Sequence, residues 1–238
     1  MPLFENGHTR ISYDTEGEGP PVLLLAPGGM RSANNLWNNM PWNPRKELKS
    51  KFQLIGMDQR NAGNSTGPIT EDDGWDTYKQ DQIALLDYLE IETCHLVGMC
   101  IGGPFIANLL KENQGRFKSA VLLQPVGIDH NREAFYEMFD SWSKEIINEE
   151  LGPSSRTMER FKHNMWDGEF LLTVSEEDIK HVETPLLVLM GDDLYHPQTT
   201  SRKVVELAQN AILVENWKDK EYLQLVNHSI IEFLLGHS

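Results

Sequence analysis

The sequence is poor in cysteine and has no long apolar run. Cys94 and Cys100 are the only two cysteines among 238 residues, and neither lies in a C-x-x-C pair or a Cys/His zinc spacing. A disulfide framework and a cysteine-based metal site are therefore not expected. The apolar runs fall far short of the ~20 residues that cross a bilayer, and the N-terminus lacks the blocks of a signal peptide. We expect a cytoplasmic protein that does not span a membrane.

Positive charge is also scarce. The chain has 21 Lys and Arg against 36 Asp and Glu, a formal net charge of −15. Nucleic acid and anionic membrane surfaces would be repelled, so neither is expected as a partner. The phosphate-binding patterns G-x-G-x-x-G and G-x-x-x-x-G-K-[ST] are missing, so no cofactor is implied. The sequence leaves the oligomeric state open.

Short apolar runs alternate with helical stretches along most of the chain. Six continuous runs predict buried strands: 22–27, 52–58, 94–99, 120–125, 185–192 and 211–217. An alternating stretch at 9–17 predicts an antiparallel edge strand, and amphipathic stretches predict helices at 76–91, 103–115, 201–210 and 220–235. This order predicts an α/β fold, with a mostly parallel central sheet and helices on both faces.

The residue composition and the apolar pattern change between about 128 and 181. This stretch is aromatic, rich in methionine and helical in pattern, and it contains no strand signal. We therefore predict a core formed by residues 1–127 and 182–238, with a helical cap at 128–181 over the carboxyl edge of the sheet. Its aromatic residues could line an apolar pocket, although most are better explained as the core of the cap itself.

The stretch GMCIG (98–102) has the form G-x-nucleophile-x-G between a predicted strand and a predicted helix. Such a turn is so tight that its flanking residues must be glycine or very small, and it lifts the central side chain above the sheet. Cys100 would then stand at a helix N-terminus, which favours the reactive thiolate. The context favours a nucleophile over a buried structural cysteine.

At these residues the sequence resembles the α/β-hydrolase superfamily, over essentially its whole length. APGGM (26–30) is similar to the oxyanion loop of that family, and DQRNAGNS (58–65) to its D-x-R-G-x-G-x-S turn. GDDLYHP (191–197) is similar to the turn that carries the acid. Within the superfamily the chain is most similar to the lid-bearing esterases, haloperoxidases and iminopeptidases.

The resemblance implies a covalent acyl-enzyme mechanism on a small ester, thioester or lactone. Cys100 would be the nucleophile, and Asp193 would be the acid because it keeps the usual spacing to the proline, with Asp192 as the alternative. The amide of Ile101, with that of Gly28 or Gly29, would stabilise the oxyanion. The two glycines are also explained by a tight turn alone.

One part of the pattern is missing. The family places its histidine after the last strand, but the corresponding segment here, 216–218, reads NWK. His196, three residues beyond Asp193, is our preferred base, while His228, His130, His237 or no histidine remain alternatives. Without a base the protein would be a non-hydrolytic ligand-binding or lyase-like protein on the same scaffold.

Overall fold

The computed structural model describes residues 1–147 and 152–238. The strands are β1 (Leu3–Asn6), β2 (Thr9–Glu16), β3 (Pro21–Leu25), β4 (Gln53–Met57), β5 (Cys94–Cys100), β6 (Phe117–Pro125), β7 (Leu186–Leu189) and β8 (Ala211–Val214). The helices are α1 (Pro44–Glu47), α2 (Trp75–Tyr88), α3 (Gly102–Asn113), α4 (Arg132–Ile147), α5 (Ser155–Trp166), α6 (Glu176–Lys180), α7 (Gln198–Leu207) and α8 (Lys220–Leu235). Short 3₁₀ turns lie at Gly29–Arg31, Asn34–Asn39 and Gln114–Arg116.

The eight strands form one sheet in the order β1-β2-β4-β3-β5-β6-β7-β8. The two N-terminal strands pair antiparallel, and all pairs from β4 to β8 are parallel. Because parallel strands end at the same edge, the segments that follow β3, β5, β6 and β7 meet at the carboxyl edge of the sheet. The predicted α/β fold is confirmed, and this edge is where the candidate site lies.

Apolar side chains cover both faces of the sheet. One buried cluster joins the sheet to α2 and α3 and to aromatic residues of the segment between β6 and β7. The other joins the opposite face to α8, through Val226, Ile230 and Leu234. Strands buried on both faces explain why the central runs are continuously apolar rather than alternating.

Within the described residues, three helices, α4 to α6, lie between β6 and β7, where the sequence predicted a cap at 128–181. Residues 148–151 of that prediction lie outside the described residues. The largest aromatic side chains of α4 and α5 are 2% exposed or less, and they pack against one another: Phe135, Phe139, Trp142, Phe161 and Trp166. Most of these rings therefore form the interior of this helical segment.

Some elements were not predicted from the sequence. The four-residue strand β1 pairs with β2 at the edge of the sheet, and the short helix α1 begins at a proline that follows an Asn43 cap. Such brief elements carry too few residues to show a periodicity. None of the helices in the described residues is long and apolar enough to cross a bilayer.

Candidate active site

Cys100 stands on the sharp turn between β5 and α3. Its backbone has φ of 60°, in the left-handed region that non-glycine residues rarely adopt. A Cβ on Gly98 would lie 2.8 Å from the Gly102 carbonyl oxygen, and one on Gly102 would lie 2.5 Å from the Leu25 carbonyl oxygen. Glycine is therefore required on both sides of the turn. This geometry is that of a nucleophile elbow, with the half-buried residue Cys100 at its apex.

The surroundings of the sulfur favour its charged form. Burial raises the pKa of the Cys100 thiol, but the His196 imidazole and the backbone amides of Gly28 and Ile101 outweigh that effect. The net result is a pKa below the ordinary value for cysteine. The amide of Ile101 directly precedes α3, so the positive end of the helix dipole adds to this effect.

Gly28 and Gly29 have different surroundings. Gly28 adopts φ of 119° and directs its amide toward the Cys100 sulfur. Gly29 begins the 3₁₀ turn and faces α4: a Cβ there would lie 2.7 Å from the Met138 sulfur. The two amides beside the sulfur are thus those of Gly28 and Ile101. Gly29 is the position at which α4 approaches the loop after β3.

Asp193 and His196 lie in one turn after β7. The imidazole Nδ1 of His196 lies 2.7 and 2.8 Å from the two carboxylate oxygens of Asp193. The backbone amides of Tyr195 and His196 also donate to Asp193 Oδ1, at 3.0 and 3.1 Å. Burial raises the pKa of Asp193, but the imidazole and these amides outweigh it and lower the pKa. Asp192, the alternative acid, pairs with Lys218 instead.

The orientation of the His196 ring leaves Nε2 for the thiol. The residue is 8% exposed, and in the described part of the chain Nε2 has no hydrogen-bond partner. Burial lowers the pKa of His196, but Cys100 and then Asp193 outweigh it and raise the pKa. A lowered thiol pKa beside a raised imidazole pKa favours a thiolate–imidazolium pair.

The other histidines considered from the sequence lie elsewhere. His228 is exposed on α8, and the side chain of His130 is fully exposed. His237 donates through Nδ1 to the Phe233 carbonyl oxygen at 2.7 Å. Among the histidines of the described residues, His196 is the one whose interactions include Cys100.

The segment 216–218 has a structural role here. Trp217 is 1% exposed, and its Nε1 donates to the Met190 carbonyl oxygen at 2.8 Å. Lys218 pairs with Asp192, so both residues support the segment that leads from β7 to Asp193. This role was not predictable from the sequence, which shows only that a histidine is missing from the position.

Comparison with known proteins agrees with this fold. The sequence profile of the alpha/beta hydrolase fold family matches residues 21–212. A non-heme chloroperoxidase, CPO-A1, of Kitasatospora aureofaciens is 25% identical over 240 residues, covering 85% of each chain. A carboxylesterase, YbfK, of Bacillus subtilis is 22% identical over 265 residues, covering 97% of this chain and 85% of its own.

Solved structures match along nearly the whole chain. The enol-lactonase of Burkholderia xenovorans superposes with a TM-score of 0.72 at 15% identity, covering 98% of this chain and 100% of the other. The non-heme bromoperoxidase BpoC of Mycobacterium tuberculosis gives 0.73 at 21% identity, with 96% of each chain covered. The protein has the α/β-hydrolase fold. It belongs to the α/β-hydrolase family, as its motifs indicated.

Proposed function

We propose that this protein hydrolyses a small ester, thioester or lactone through a covalent acyl-cysteine. Cys100 is the nucleophile, His196 is the general base and acid, and Asp193 orients the imidazole. The proposal depends on one observation at the carboxyl edge of the sheet: the His196 imidazole pairs with the Asp193 carboxylate through Nδ1, and its interaction with the thiol lowers the pKa of Cys100 and raises that of His196.

Acylation begins from the thiolate–imidazolium pair. The sulfur forms a bond to the substrate carbonyl carbon, and the carbonyl electrons move to its oxygen. The amides of Gly28 and Ile101 stabilise this oxyanion, a contribution of roughly 3 kcal/mol per donor in comparable sites. When the carbonyl re-forms, the bond to the leaving oxygen or sulfur breaks, and His196 Nε2 gives its proton to that atom.

Deacylation uses the same groups in reverse. His196 Nε2 accepts a proton from water while the water oxygen attacks the thioester carbonyl. The tetrahedral intermediate expels the Cys100 sulfur as thiolate, and the acid product leaves. Asp193 stays ionised throughout, because its lowered pKa keeps it charged beside the imidazolium. Asp193 thereby fixes the Nδ1–H tautomer in both steps.

Apolar contacts join the helical segment at 128–181 to the turn of residues 193–196 and to the oxyanion loop. Tyr195, next to the base, contacts the Phe135 ring edge-on at 5.4 Å, and Phe135 stacks on Trp166 at 4.9 Å. Met138 covers Gly29 on the other side. These contacts favour a cap at 128–181 above the elbow. The names of the relatives, carboxylesterase and enol-lactonase, support ester and lactone substrates.

The test is stopped-flow hydrolysis of p-nitrophenyl acetate. We expect a burst of about one nitrophenolate per chain, followed by slower turnover, since the acyl-enzyme forms before water resolves it. Cys100→Ala should lose both phases. Cys94→Ala is the matched control and should keep them, because Cys94 is buried and burial raises its pKa to about 12. Failure to turn over a panel of esters, thioesters and lactones would overturn the proposal.

The non-hydrolytic alternative depended on the missing histidine at 216–218. His196 supplies an imidazole to the sulfur from the acid turn, so we favour hydrolysis. Ligand-dependent thermal stabilisation without any turnover would support the alternative instead.

A further inference from the structure

A buried asparagine, Asn131, connects two loops at the carboxyl edge of the sheet. One is the turn of residues 193–196, called the base turn below, and the other is the segment that leads from β6 into α4. Asn131 is 4% exposed and directly precedes α4. Its Nδ2 donates to the Leu194 carbonyl oxygen at 2.7 Å and to the Gly127 carbonyl oxygen at 3.0 Å. Its Oδ1 accepts from the Asp129 amide at 2.9 Å. One side-chain amide thus uses both of its protons to join two loops at the carboxyl edge of the sheet.

The position of Leu194 makes this contact important for the site. Leu194 lies between Asp193 and His196, in the turn whose amides and imidazole all bind the Asp193 carboxylate. The Leu194 side chain is 61% exposed and does not anchor the turn by burial. Its backbone is held instead by the Asn131 amide.

The helix that follows Asn131 also reaches the oxyanion side of the site. Met138 of α4 lies against Gly29, and Glu145 accepts two hydrogen bonds from Arg31, at 3.2 and 2.7 Å. The same helix therefore contacts the oxyanion loop on one side and, through Asn131, the base turn on the other. The oxyanion loop and the base turn are therefore both supported by α4 and the residue that precedes it.

We propose that Asn131 is a positioning residue that holds the His196 imidazole against the Cys100 sulfur. The inference rests on the proposed function, because it concerns how that base is held. Without the amide, the Leu194 carbonyl loses its partner and the turn gains freedom. The imidazolium then spends less time beside the sulfur, and the thiolate is less stabilised.

The chain contains a matched control. Asn164 lies on α5 and also donates through Nδ2 to two backbone carbonyl oxygens, those of Glu71 at 2.9 Å and Asp73 at 2.8 Å. It joins a helix of the same segment to the core by the same chemistry, but none of its partners lies in the 193–196 turn. Its loss should therefore reduce stability without affecting the base.

The experiment measures the rate of Cys100 alkylation by iodoacetamide as a function of pH. In Asn131→Ala we expect the half-maximal pH to move up toward that of an ordinary thiol, and the rate at pH 6 to fall about tenfold, the effect of one lost hydrogen bond. Asn131→Ser keeps a side-chain oxygen that can accept a hydrogen bond from the Asp129 amide. It lacks the amide group that donates to two carbonyl oxygens, so we expect a similar shift. Asn164→Ala should keep the wild-type profile.

Thermal unfolding of the variants separates positioning from stability. We expect Asn131→Ser and Asn164→Ala to lose comparable stability while only the first changes the alkylation profile. If both Asn131 variants fold and keep the wild-type profile, Asn131 has no positioning role, and the proposed function is unaffected. If wild-type Cys100 itself alkylates as an ordinary thiol and His196→Gln changes nothing, the proposed function is the part that fails.

Discussion

His196 Nδ1 lies 2.7 and 2.8 Å from the two carboxylate oxygens of Asp193, three residues earlier in the same turn. The proposed base and its proposed orienting acid therefore come from one loop, after β7. Their relative geometry is set by local backbone hydrogen bonds, and the loop after β8 is not needed for it. That loop instead provides Trp217 and Lys218, which support the turn from outside.

Replacing the imidazole should raise the pKa of the nucleophile. His196 lowers the pKa of Cys100 by stabilising its thiolate, so His196→Gln removes that stabilisation. The alkylation profile should move to higher pH, and esterase turnover should fall by about 10²-fold or more, as for loss of a general base. His163→Gln is the control, because His163 is exposed on α5. An unchanged profile in His196→Gln would exclude the ion pair.

Cys100→Ser should retain weak activity. A serine hydroxyl is not ionised by the amides alone and needs His196 to remove its proton. With His196 in place, we expect the serine variant to exceed Cys100→Ala by about 10²-fold in ester turnover. The double variant Cys100→Ser with His196→Gln should fall to the level of Cys100→Ala. Equal activity of Cys100→Ser and Cys100→Ala would mean that no working base faces the elbow.

The elbow should tolerate no side chain at Gly102. A Cβ there would lie 2.5 Å from the Leu25 carbonyl oxygen, so β3 or α3 must shift. We expect Gly102→Ala to lose about 1–3 kcal/mol of unfolding free energy in urea titrations, as overpacked sites do. Gly115→Ala is the matched control, since a Cβ there meets nothing within 4 Å. Equal stability of the two variants would contradict the close approach.

His95 should make the protein sensitive to acid. It is buried in β5, where Nδ1 lies 2.8 Å from Ser119 Oγ, and burial lowers its pKa to about 4. As pH falls, His95 gains a proton near pH 6.5 in the unfolded chain but only near pH 4 in the folded chain. The free energy of unfolding therefore decreases as pH drops from 6.5 toward 4. The loss should be up to about 3 kcal/mol from this residue.

Urea unfolding at pH 7 and pH 4.5 measures that loss. His95→Gln should lose less stability between the two pH values than the wild type does. His8→Gln, at an exposed position, should behave as the wild type. A wild-type difference that His95→Gln leaves unchanged would assign the acid sensitivity to other groups.

Much of the fold was predictable because its signals are local. Continuous apolar runs predicted β3 to β8. The glycines on either side of Cys100 predicted the elbow, because close backbone atoms leave no room for a side chain at these two positions. The weakest predictions were short elements such as β1, whose pairing depends on the neighbouring strand.

The sequence made His196 the preferred base but left His228, His130, His237 or no histidine as alternatives. In the structure the turn folds the His196 imidazole back onto the Asp193 carboxylate three residues earlier, a geometry that depends on local backbone hydrogen bonds. Asn131 was missed because it is distant in sequence from Leu194 and meets it only at the sheet edge. Its proposed role therefore depends on a tertiary contact, which no local pattern predicts.

The most direct test is to identify the acylated residue. Wild-type protein would be mixed with p-nitrophenyl acetate, quenched in acid during the burst, digested and examined by mass spectrometry. The account predicts one acetyl group, on the peptide that contains Cys100, which disappears when the sample is left to turn over and forms far more slowly in His196→Gln. Acetylation confined to surface lysines, with Cys100 unmodified, would contradict it.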